Sequence, residues 1–216
     1  MAGGQGGSRR AGKFRTVRME AFSDGVFAIA ITLLVLELEV PSPDDEQAVF
    51  ELLVGNWPAY LAHVVSFATI GAVWFAHTVI TEYLDRANST LIRLNLLLLM
   101  VVAFLPYPTR LLATYIGHTG PERVAAVIYG ANLLLAAVLV GVMWRYALHE
   151  GLVRPDAADE DIRTLSKRLT PGLAGYLVMI VLGIFLPVVA VFGYLVIAIF
   201  IIVPFRELRQ HRTRAE

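Results

Sequence analysis

No cysteine occurs in the 216 residues, an absence that removes disulfides, thiolate metal sites and cysteine nucleophiles together. Charge is scarce as well: Asp, Glu, Lys and Arg make up 17% of the chain against 57% hydrophobic residues, and the mean hydropathy is +0.65. That is far more apolar surface than a soluble core of this size can hide, so the chain reads as an all-α integral membrane protein. GxSxG, HExxH and paired catalytic carboxylates are missing too. An intramembrane enzyme would need a nucleophile with its base, or a metal cluster, so an enzyme is not expected. The formal net charge of +0 gives no signal for nucleic acid, and no such partner is expected. The placement of charge along the chain carries the information instead.

Long uncharged runs mark the spans. The first apolar stretch follows a flexible, Gly-rich basic tail over residues 1–17 and reads as a retained span rather than a signal peptide, because no small-residue cleavage site follows Leu36. Between Glu51 and Glu82 there is no charged residue, and Trp57 to Ile80 satisfies the roughly 20 residues a spanning helix needs. A third span covers Leu94 to Thr109, with Pro106 and Pro108 expected to end regular helix, and a fourth covers Val124 to Trp144. Leu169 to Phe205 would be about 55 Å long as one helix, nearly twice the hydrocarbon thickness. It divides into spans near 171–186 and 190–205, with Pro187 and Gly193 bracketing the turn. Glu150 to Lys167 forms the one sizeable inner loop. The six-span domain then runs over 18–206, before a basic tail over 207–216.

Basic residues test this topology, because cytoplasmic loops collect Lys and Arg. With both termini cytoplasmic, only Arg110 and Arg123 fall outside; a five-span chain would export the basic C-terminus. Trp57, Tyr60, Trp144 and Tyr146 sit near span ends and read as interfacial belt residues. His63 reads as a packing residue or interhelix hydrogen-bonding group.

The first span differs from the others. Gly25 to Leu36 is its only uncharged stretch, too short to cross hydrocarbon comfortably against lipid but adequate beside a central water path. On a 3.6-residue helix Ile29, Leu33 and Leu36 share one narrow stripe, Thr32 lies about 60° to one side, and Asp24 faces nearly the opposite way. The stripe and the carboxylate therefore meet different neighbours, one of them a symmetry axis. Glu37, Glu39, Asp44, Asp45, Glu46 and Glu51 follow with no basic residue among them. In a symmetric oligomer such an acidic mouth attracts cations toward apolar constrictions that gate by dewetting.

Arg18-x-x-x-Phe22-Ser23-Asp24, Trp74-x-x-His77, Arg93-x-Asn95 and Phe104-Leu-Pro-Tyr-Pro-Thr109 together resemble the signature of the transmembrane protein 175 family, the lysosomal potassium channels and their shorter bacterial homologues. The resemblance implies six transmembrane helices per subunit and a homotetramer whose first helix lines the central pore. It further implies potassium as the permeant ion with no cofactor, and a multi-pass protein of a bacterial plasma membrane. Conduction would proceed without a TVGYG carbonyl loop, and none occurs here. By position Ile29 becomes the narrow constriction, with Leu33 and Leu36 the next layers outward and Thr32 a hydroxyl beside the path. Arg18, Phe22, Ser23 and Asp24 become a structural latch, Ser23 and Asp24 bonding to Trp74, His77 and Asn95. A different reading stays open: a proton-coupled secondary transporter with Asp24 and His77 as its relay.

Overall fold

The computed structural model describes residues 16–38, 51 and 54–203, with backbone alone for 168–171. All regular structure among them is helical: α1 (Thr16–Leu33), a 3-10 turn η1 (Leu34–Glu37), α2 (Trp57–Glu82), α3 (Ser89–Phe104), α4 (Pro106–Tyr115), α5 (Pro121–His149), α6 (Asp159–Phe185) and α7 (Pro187–Ile202). Five stretches are long and apolar enough to cross a membrane: Thr16–Glu37, Trp57–Glu82, Ser89–Tyr115, Pro121–His149 and Asp159–Phe185. The shorter Pro187–Ile202 supplies a sixth apolar helix. The two terminal tails lie outside the described residues, except that Thr16 and Val17 already belong to α1.

Proline starts most of these helices. Pro58, Pro106, Pro121 and Pro187 occupy the first two positions of α2, α4, α5 and α7, where a missing N–H costs nothing and a fixed φ suits the helix. This corrects the reading of the third span. Pro106 and Pro108 end α3 but open α4 at once, because the joining Leu105 keeps right-handed helical angles and Thr109 N–H still reaches the Leu105 carbonyl at 3.1 Å. The span consequently runs on to Tyr115. Asn88 caps α3, its Oδ1 accepting from Leu91 N–H at 2.9 Å while its amide donates to Tyr146 Oη at 2.9 Å.

The inner loop is also shorter than expected. Asp159, Glu160 and Asp161 form the acidic first turn of α6, where carboxylates complement the helix dipole. What remains of the loop folds back on the α2–α3 connection: Asp85 N–H donates to Leu152 O, Arg154 N–H to Tyr83 O, each at 2.9 Å, and Arg86 to Gly151 O at 3.0 Å. Trp144 is no belt residue. It is buried, stacks edge-on to Tyr83 and donates to Ser166 Oγ at 2.8 Å. Trp57 is half-exposed, and His63 Nδ1 has no partner among the described residues.

The hairpin of α6 and α7 turns at Leu186 alone, so Gly193 lies inside α7 rather than at the turn. Its role is close approach: a Cβ there would collide with the Met179 thioether, as one on Gly130 would with Tyr194 and Ile180. α5 packs on α3, α4, α6 and α7, and α2 packs on α4 and α7. α1 leans on α2 and α3 at the margin of this bundle.

Candidate functional site

α1 has two unlike faces. Met19, Ser23, Phe27, Ala30 and, in η1, Leu34 are buried against the bundle, at spacings that keep one side of the helix inward. On another side of the helix Phe22, Ile29, Leu33 and Leu36 stand 56%, 60%, 41% and 74% exposed. The stripe read from the sequence is thus the uncovered one, and Phe22 extends it by two turns. Thr32 is exposed beside the stripe, and its hydroxyl donates to the Ile29 carbonyl at 2.9 Å, which leaves its oxygen free to accept.

A chain of hydrogen bonds ties the inward face to its neighbours. Ser23 Oγ donates to Met19 O at 2.8 Å and accepts from Asn95 Nδ2 of α3 at 2.9 Å. Asn95 Oδ1 lies 2.8 Å from His77 Nε2 of α2. A carboxamide oxygen only accepts, so the imidazole donates and carries its proton on Nε2. Phe27 packs against the same imidazole, ring centroids 5.6 Å apart. Asp24 Oδ1 accepts from Trp74 Nε1 of α2 at 2.9 Å, on the exposed edge where α1 meets α2. Five of the seven residues assigned to the latch therefore join in hydrogen bonds. Arg18 and Phe22 do not: both are exposed and neither bonds to the cluster among the described residues.

Of the acidic mouth, Glu39, Asp44, Asp45 and Glu46 lie outside the described residues. Glu37 is described, and it is paired: Arg110 Nε of α4 stands 3.6 Å from its Oε2. Sequence reading missed this pair, and the sole hint was that Arg110 is one of the two basic residues that the expected topology leaves outside. It also missed a buried hydroxyl cluster in which Ser66 Oγ lies 2.7 Å from Thr109 Oγ1 and 3.1 Å from Tyr129 Oη, with Thr69 Oγ1 2.9 Å from the same phenol. Ser66 and Thr69 fall on the face of α2 that carries Val73 and His77, and Thr109 follows the double proline, so the available signal was three hydroxyls at inward positions.

A multi-span helical bundle that anchors one helix by polar contacts and leaves that helix's apolar face uncovered is a membrane protein with a surface left for lipid or for further copies of itself. The comparisons specify it further. The sequence model of the "Endosomal/lysosomal potassium channel TMEM175" family matches residues 18–106, which hold α2, α3 and all but the first two residues of α1. A potassium channel of Streptomyces collinus is 41% identical over 160 residues, 74% of this chain and 78% of that protein. The endosomal/lysosomal proton channel TMEM175 of Mus musculus is 34% identical over 139 residues, 61% of this chain but 28% of that longer protein. Among solved structures, that of a lysosomal potassium-selective channel TMEM175 homologue from Chamaesiphon minutus superposes with a TM-score of 0.78 at 38% identity, covering 86% of this chain and 95% of that one. The chain belongs to the TMEM175 family of ion channels.

Proposed function

We propose that this chain is the subunit of a homotetrameric potassium-selective channel in which α1 lines the pore. The observation that carries the reading is the contrast between the two faces of α1: one is fastened to α2 and α3 through Ser23 and Asp24, the other leaves Ile29, Leu33 and Leu36 only partly covered within the subunit. Four such stripes around an axis make a narrow apolar path. Ile29 is its tightest ring, Leu33 and Leu36 lie toward the mouth, and Thr32 adds a hydroxyl beside the path. Potassium follows from the names of the Streptomyces and Chamaesiphon relatives, which match this chain over most of their length. The clustering of Lys and Arg supports cytoplasmic termini. The family is one of ion channels, and no catalytic role is proposed.

The transporter reading is not favoured. Asp24 and His77 are each engaged elsewhere, with Trp74 and Asn95 respectively, and no hydrogen bond joins them. The test is a reversal potential of purified protein in a planar bilayer, potassium on one side and sodium on the other, repeated across a pH gradient. Sustained current reversing toward the potassium potential supports the channel. Slow flux that follows the pH gradient, without channel current, overturns it.

A further inference from the structure

We propose that Arg110 is a specificity-determining residue of this channel: by drawing the Glu37 carboxylate toward α4, it prevents four carboxylates from closing into a divalent-cation ring just above the Leu36 constriction. The inference rests on α1 lining the pore.

Glu37 follows Leu36 directly, in the last position of η1. Within that turn Leu34 is wholly buried while Val35 and Leu36 are exposed. The turn packs against α2 and α4, which brings Glu37 beside Arg110. The Glu37 side chain is only 20% exposed and the Arg110 side chain 69%. An exposed ion pair alone holds weakly. Here the Glu37 side chain is mostly covered, and Arg110 is the one cation within ion-pair distance of its carboxylate among the described residues.

The consequence follows from symmetry and cation chemistry. Whatever Glu37 does, it does four times around the axis, one residue beyond the outermost apolar ring. Four free carboxylates at one level supply the hard, multiply charged oxygen set that calcium or barium prefers. A ring of charged side chains also sets which ions enter a pore. A divalent ion retained there would plug a path meant for weakly held monovalent ions. Pairing each carboxylate with a guanidinium cancels the ring's charge and turns its oxygens outward.

The experiment uses the full chain in planar bilayers under symmetric potassium, with barium or calcium chloride added to each side in turn. Arg110→Gln is expected to be blocked at a divalent concentration about tenfold below that for the unaltered chain, since ligand charge sets divalent affinity. Block should occur from the side Glu37 faces. Arg110→Lys keeps the charge and stays close to the unaltered sensitivity. Arg110→Gln combined with Glu37→Gln returns to it, because no carboxylate remains to be freed. Glu37→Asp offers a second route, since it keeps both charges but falls one methylene short of the guanidinium, and it should also sensitise. Unaltered divalent sensitivity in both Arg110→Gln and Glu37→Asp overturns the inference, as does a double variant that stays sensitised. Ile29→Asn, recorded in parallel, separates the failures. If it changes the current while the Arg110 variants do not, only this inference falls; if it changes nothing, the pore-lining reading falls and takes the ring with it.

Discussion

Ile29, Leu33 and Leu36 offer no side-chain atom that can replace an ion's water, so discrimination in such a path comes from width, hydration and a nearby hydroxyl such as that of Thr32. Polarity at the narrowest ring is then the sensitive variable. Ile29→Asn should wet the constriction, raising leak at rest and bringing the potassium-over-sodium ratio closer to one. Bi-ionic reversal potentials of an assembled variant check this, and unchanged values would remove Ile29 from the pore. At this scale the sequence was legible where one helix's arithmetic sufficed: spacing alone selected Ile29, Leu33 and Leu36, and all three stand exposed along α1 and η1. It also identified Ser23, Asp24, Trp74, His77 and Asn95 as one group through the family signature. It could not show that Glu37 meets Arg110. That contact depends on how η1 lies against α4, and no periodicity within either segment encodes it.

As an element, α1 is attached by few polar bonds, and a carboxylate left without a partner inside a membrane would cost several kcal/mol. Interhelical hydrogen bonds in membranes average about 0.6 kcal/mol each, so the Asp24–Trp74 bond acts on the fit of α1 against α2 more than on total stability. Asp24→Ala removes the acceptor and is expected to cost about 1 kcal/mol. It should lower the thermal midpoint of assembly in detergent by a few degrees while leaving the reversal potential of the remaining current unchanged. Asp24→Asn keeps an oxygen for Trp74 and should recover most of the loss. A stable Asp24→Asn assembly that no longer transports would place Asp24 in a proton relay instead. The elements whose limits escaped the sequence share a cause. Proline at 106 and acidic residues at 159–161 read as breaks when taken alone, yet both residue types favour helix starts. Gly193 likewise suggested a turn, and what it permits is the approach of Met179. Each of these local signals has two meanings, and only the packing partner selects between them.

For the whole molecule, the decisive matter is whether four copies bring the uncovered face of α1 to one axis, and the absence of cysteine makes this directly testable. A single introduced thiol has no native competitor, so every disulfide formed reports one contact. Two thiols join only when their Cα atoms lie within about 7 Å, a separation that only residues close to the axis can reach across a fourfold arrangement. Leu36→Cys places the thiol on the most exposed position of the stripe, and Leu34→Cys places it at a fully buried position two residues away. Mild oxidation in membranes should convert Leu36→Cys into covalent dimers. Each pair of facing subunits forms one bond, so a tetramer yields dimers and no higher ladder under denaturation. Leu34→Cys should remain monomeric. A thiol-reactive cation added to the bath should reduce current through Leu36→Cys alone and spare Leu34→Cys. If the buried position cross-links as readily as the exposed one, α1 does not present this face to the axis. Cross-linking of Leu36→Cys without any effect of the thiol reagent on current would instead make the stripe a packing seam between copies, with the ion path elsewhere.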